Sequence, residues 1–125
     1  MDETIHRALG HGQTIDITTT GRKTGLPRRI EIVFFNFDGR IYISGLPRPG
    51  RRRSWLANLE AHPDFTFHLK GRVTADLPAT AREVTDPTER RAVLERVARA
   101  WRRTDLDTMV AASPLIEVTL PGLAA

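Results

Sequence analysis

Two extended apolar runs meet at Asp38-Gly39, and that dipeptide leaves the chain few choices. A two-residue connection of this kind turns an antiparallel hairpin, because both positions accept the positive φ that matches strand twist. Residues 40–44 are therefore the return partner of residues 28–37. In the longer run Ile30, Ile32 and Phe34 fall on one side, and Val33, Phe35 and Phe37 on the other. Its second half has two apolar faces, which a lone hairpin cannot bury, so the sheet must be covered on both sides.

Other segments extend the same sheet. Residues 13–20 set Ile15, Ile17 and Thr19 at period two, the spacing of a half-buried strand. The run from Gly21 to Pro27 then breaks it with two glycines and a proline. Residues 64–70 alternate Phe65, Phe67 and Leu69; Gly71 turns into a run over 72–84 that Pro78 interrupts; Ile116, Val118 and Leu120 make a last strand. Ser54 is expected to cap a short helix carrying Trp55, Leu56 and Leu59, which His62-Pro63 ends. Asp86-Pro87-Thr88-Glu89 offers a cap, a first-turn proline and a capping-box glutamate ahead of the stripe Leu94, Val97, Ala98 and Trp101. The order β, β, β, α, β, β, α, β lacks the regular alternation of a doubly wound sheet. It predicts a mainly β (α+β) domain over residues 1–125, an antiparallel barrel of about six strands with two helices at its ends.

The absence of cysteine excludes disulfides, thiolate metal sites and cysteine nucleophiles, and suits a reducing cytoplasm. The first residues lack a signal-peptide pattern, and no apolar run nears the roughly 20 residues of a spanning helix. A soluble, cytoplasmic protein without a transmembrane segment is expected. His6, His11, His62 and His68 show no metal-ligand spacing, so surface or cap roles and no metal site are expected of them. Phe34, Phe35, Phe37, Phe65 and Phe67 read as core.

Lysine and arginine number 19 against 15 acids, a net charge of +4, which favours anionic partners. Two clusters carry the excess: Arg22, Lys23, Arg28 and Arg29, then Arg48, Arg51, Arg52 and Arg53. A third group, from Arg90 to Arg103, is interleaved with acids and reads as helix surface. The loop Gly21-Arg22-Lys23-Thr24-Gly25 combines amides, a hydroxyl and two cations, the mixture a phosphate needs. It equally reads as an exposed connection with solvated charges. The segment 44–55 brings arginines, whose planar fork suits phosphate and carboxylate, to a helix start. Adjacent arginines repel by roughly 1 kcal/mol per pair at about 4 Å in water; an anion relieves that, as does fanning into solvent.

The stretch Thr18-Thr19-Thr20-Gly21-Arg22-Lys23-Thr24-Gly25-Leu26-Pro27-Arg28, with Trp55-x-x-Asn58-Leu59 and His62-Pro63, resembles the deazaflavin (F420)-dependent nitroreductase family over positions 15 to 85. The resemblance implies a split β-barrel of the FMN-binding type with coenzyme F420 as cofactor. It implies that Arg22, Lys23, Thr24 and Arg28, with Gly25 in the same loop, hold the phosphate or the glutamyl tail. Ser44 and Gly45 then lie near the ring, Trp55 and Asn58 begin the helix that shapes the pocket, and Arg51, Arg52 and Arg53 add to the anion site. Trp55 also reads as a core anchor. The implied reaction is hydride transfer from reduced deazaflavin to a small quinone-like or conjugated acceptor. No side chain is assigned as catalytic; Ser44 and Tyr42 are the nearby hydroxyls, and Tyr42 sits mid-strand. The chain departs from the family pattern where a glycine-rich segment becomes rich in proline and arginine after Ser44, and where His62 replaces asparagine. It also lacks C-terminal tyrosines, which argues against nitro compounds as substrates. An FMN-binding barrel and a non-enzymatic binder of an anionic ligand are the alternatives. Nucleic acid is not expected, since no recognition motif for it is present. Related barrels dimerise across the sheet, so a homodimer is consistent.

Overall fold

The computed structural model describes residues 1–123. Its strands are β1 (Gln13–Thr20), β2 (Pro27–Phe37), β3 (Arg40–Ser44), β4 (Asp64–Lys70), β5 (Thr74–Glu83) and β6 (Leu115–Thr119). They close into a barrel in the order β1-β2-β3-β6-β5-β4, with every pairing antiparallel. The β2–β3 hairpin turns as expected: Asp38 and Gly39 both have positive φ, and Phe37 pairs with Arg40.

Alternation along the strands builds two cores. Ile15, Ile17, Phe34, Ile41, Ile43, Phe67, Leu69 and Ile116 fill the barrel, with Phe34 edge-on to Phe67. Leu56 and Leu59 from helix α2 (Ser54–Ala61) join them. On the outside, Phe35, Tyr42 and Leu115 meet Val93, Leu94, Val97 and Ala98 of helix α3 (Pro87–Trp101). This second cluster is why β2 is apolar on both faces, and it places α3 against the barrel wall rather than at an end.

Several local expectations are corrected. There are four helices, not two: α1 (Glu3–Ala8), capped by Asp2, and α4 (Leu106–Ala112) are added. Arg53 rather than Ser54 is the N-cap of α2, and it makes no side-chain cap bond. Asp86 does cap α3 through the Glu89 amide, but the Glu89 carboxylate is paired with Arg82 instead of closing a capping box. Pro78 does not interrupt β5. It pairs with Thr66 at a point where β6 has not yet joined the other side, so its missing N–H leaves no gap.

His68 is not a surface residue. It is 6% exposed on the outer face of β4, with Nδ1 2.6 Å from Asp76 Oδ1 and Nε2 2.7 Å from Thr18 Oγ1. Arg90 also leaves its expected group. Its guanidinium donates to the carbonyls of Val84, Val110 and Ser113, tying α3 to the segment around α4.

Candidate functional site

β2 has eleven residues and β3 five, and the hairpin register pairs them only from Phe34 to Phe37. From Pro27 to Val33, β2 therefore has β1 on one side and, among the described residues, no strand on the other. A cavity of about 680 Å³ opens along this free edge. Thr19, the 21–24 loop, Arg28, Ile30, Glu31 and Ile32 form one wall; Ser44, Gly45, Arg48, Arg53, Ser54, Trp55 and Asn58 form the other.

The loop after β1 is held from within. Gly21 N–H donates to the Leu26 carbonyl and Gly25 N–H to the Gly21 carbonyl, both at 2.8 Å. Leu26 N–H donates to Thr24 Oγ1 at 3.2 Å. A Cβ on Gly21 would lie 2.7 Å from Thr24 Oγ1 and 3.1 Å from the Leu26 carbonyl, so only glycine fits without a shift. Gly25 has φ +70 and serves the turn; it is not part of the cavity wall.

Asn58 connects this loop to α2. It is 4% exposed, its Oδ1 accepts from Arg22 N (3.1 Å) and Arg22 Nη1 (3.3 Å), and its Nδ2 donates to Thr19 Oγ1 (3.2 Å). Most of the loop's amides are thus already used. The donors left facing solvent are the amides of Lys23 and Thr24 and the cationic side chains. Among the described residues, Arg22, Lys23 and Arg28 have no carboxylate partner. Arg29 belongs to the opposite face of β2, where it meets Asp16 at 3.0 Å.

At the other end Ser44 is buried and its Oγ donates to the Pro114 carbonyl at 2.6 Å. Arg53 folds over Gly45 and donates to the Leu46 carbonyl at 2.6 Å. A Cβ on Gly45 would come within 3.2 Å of the Arg53 guanidinium and of Pro114 Cγ. Burial, and then the charge of Arg48, push the Arg53 guanidinium below its ordinary value. Trp55 is half-buried against the barrel core and also faces the cavity. Tyr42 points into the outer core, where burial raises its phenol, and it takes no part in the site.

Of the twelve binding residues expected from sequence, Arg22, Lys23, Thr24, Arg28, Ser44, Gly45, Arg53, Trp55 and Asn58 line this one cavity. Arg51 and Arg52 line a neighbouring one, and Arg52 is paired with Glu60 and Glu83. Outside those twelve, Thr19, Gly21, Ile30, Glu31, Ile32, Arg48 and Ser54 are also wall residues. The period of two puts Ile30 and Ile32 on the side of Phe34, and the unequal lengths of β2 and β3 leave them partly exposed to the cavity.

Residues 2–118 match the model of a family described as F420H(2)-dependent quinone reductase. The fold is also similar to three solved structures. A conserved hypothetical protein from Mycobacterium tuberculosis is 19% identical, with a TM-score of 0.73 over 97% of this chain and 81% of that one. A structure described as an F420-H2-dependent reductase is 21% identical, with a TM-score of 0.60 over 85% of this chain and 93% of that one. One described as a domain-swapped dimer is 20% identical, with a TM-score of 0.61 over 94% of this chain and 95% of that one.

Proposed function

This chain belongs to the F420H(2)-dependent quinone reductase family of oxidoreductases, and from that premise we propose that the cavity beside β2 seats coenzyme F420 for hydride transfer to a small quinone-like or conjugated acceptor. The observation that carries the reading is one cavity that holds cations without carboxylate partners at the loop after β1 and an apolar stretch of wall as well. Arg22, Lys23 and Arg28, without carboxylate partners among the described residues, supply the cations, and Ile30, Ile32 and Trp55 supply the apolar wall. A phosphate with a planar heterocycle needs those two environments side by side.

The residues fit such a group. Arg22, Lys23 and Arg28, with the Lys23 and Thr24 amides, would hold the phosphate; Thr24 Oγ1 is already accepting from Leu26 N–H and braces the turn. The free edge of β2 presents backbone donors and acceptors to the rim of a heterocycle, and Ile30, Ile32 and Trp55 exclude water from its faces. Reduced F420, when bound, supplies the hydride, and the acceptor takes a proton to complete the two-electron reduction. The Ser44 hydroxyl is committed to Pro114 and Tyr42 faces away, so neither is a proton donor in this reading; water entering the open cavity fills that role. A cytoplasmic homodimer accompanies the proposal, supported by the domain-swapped structural relative and measurable by light scattering.

Fluorescence titration with F420 and, separately, FMN tests the reading. F420 is expected to bind and FMN to bind more weakly. Lys23→Ala should weaken F420 by about tenfold, roughly 1.4 kcal/mol for one charge-assisted contact, and added salt should weaken it further. Equal affinity of the variant and the parent would remove the phosphate from this loop.

A further inference from the structure

Arg53 is a cation of the first cavity to which the phosphate reading gives no task. It is half-buried, whereas Arg48 and Arg51 in the same loop are exposed. Its guanidinium lies over Gly45, where a Cβ would come 3.1 Å from Nη2 and 3.2 Å from Cζ. Nη2 donates to the Leu46 carbonyl at 2.6 Å. A guanidinium donates along every N–H of a planar fork. Among the described residues, the rest of this fork has neither a carboxylate nor a carbonyl partner.

Its place separates it from the cations of the β1 loop. β3 runs antiparallel to β2, so the loop that leaves Ser44 and the loop that leads into β2 stand at one end of the barrel. Arg53 lies on the wall formed by the first of these, and Arg22, Lys23 and Arg28 on the other. Burial, and after it Arg48, lower the Arg53 guanidinium; the β1-loop cations do not. A charge taken out of water costs free energy unless a partner answers it. The phosphate answers the β1 loop, and Arg53 remains for a second negative charge in the same cavity. Reduction creates one. A hydride that bonds to carbon in a conjugated carbonyl compound sends the π electrons to the carbonyl oxygen, which is an oxyanion until it takes a proton from water.

We propose that Arg53 is a catalytic residue of this reductase: its guanidinium donates to the acceptor's carbonyl oxygen and stabilises the oxyanion that hydride transfer leaves there. The hydride brings both electrons, the acceptor gains a C–H and then an O–H bond, and the cofactor is left oxidised. The acceptor is therefore one whose carbonyl is conjugated with the carbon that receives the hydride. Gly45 and the Leu46 carbonyl position the fork. Arg53 lines the neighbouring cavity as well as the first, which puts it where a second reactant can meet a bound cofactor. This inference rests on the cofactor occupying the first cavity.

Calorimetric titration of protein saturated with oxidised F420 tests it, with two probes: lawsone, a hydroxynaphthoquinone that is an enolate at neutral pH, and its neutral methyl ether. The parent is expected to bind lawsone at least about tenfold more tightly than the ether. Arg53→Gln should remove that preference and Arg53→Lys should keep part of it, with F420 affinity changed by less than about twofold in both. In turnover with menadione, Arg53→Gln should lower kcat by about 100-fold and leave KM nearly unchanged. Equal binding of the two probes by the parent, a preference or a kcat that survives Arg53→Gln, or a loss of F420 affinity of about fivefold or more in that variant would overturn the proposal. Failure of the parent to bind F420 is a separate result, which removes the reading of the first cavity; lawsone titrated without F420 then decides whether Arg53 still holds an oxyanion.

Discussion

Replacing Asn58 by leucine removes a buried side chain that joins α2, β1 and the basic loop, with little change in volume. Three hydrogen bonds disappear. The bond to Arg22 Nη1 is long and its donor is solvated, so it contributes little. The Thr19 bond is buried and the Arg22 amide is half-enclosed; at about 1 kcal/mol each, plus part of the desolvation of the groups left unpaired, the loss is about 2–3 kcal/mol. For a chain of 125 residues that lowers Tm by about 10 °C. The loop would also lose its anchor, so F420 must order it on binding, and affinity should fall about five- to tenfold. Circular-dichroism melting and F420 fluorescence titration on the same preparation read both effects. A variant that melts within about 2 °C of the parent and binds F420 equally well would refute the claim that Asn58 sets the loop.

Two further outcomes follow from features outside the cavity. Hydrogen bonds from Lys70, then Arg29, hold the Asp16 carboxyl below its ordinary value. Its contribution is therefore present above the unfolded value of about 4 and lost as pH falls through the lower folded value; Asp16→Asn should flatten the acid limb of a stability–pH curve, and an unchanged limb would count against it. Arg90→Met leaves the Val84, Val110 and Ser113 carbonyls without their donor, and urea unfolding should register a loss of about 3 kcal/mol.

The barrel was legible because its information is local. Asp38-Gly39 set the register of one hairpin, and period-two runs located the other strands close to their observed bounds. Short helices were not legible: α1 and α4 have six and seven residues, and α4 buries only Met109, too little for a stripe. His68 was misjudged because its partners, Thr18 and Asp76, come from strands far apart in sequence or across a turn. The same limit split the arginines. Residues 51–53 are consecutive, yet their side chains diverge to Glu60, to the Leu46 carbonyl and to solvent, and no spacing rule shows which way each turns. The β1 loop, by contrast, carried its own geometry in two glycines and a threonine.

The position of β6 in the barrel has a consequence for how the protein is made. It lies between β3 and β5, although it follows every other described strand in sequence and about 70 residues separate Ser44 from its partner Leu115. Until β6 emerges, β3 and β5 each show a bare edge to the crowded surroundings of the ribosome. The Ser44–Pro114 contact does not exist at that stage. Closure of such distant pairings is slow, so the nascent chain has a window in which two unfinished molecules can pair edge to edge, and fast elongation through the last helices narrows it.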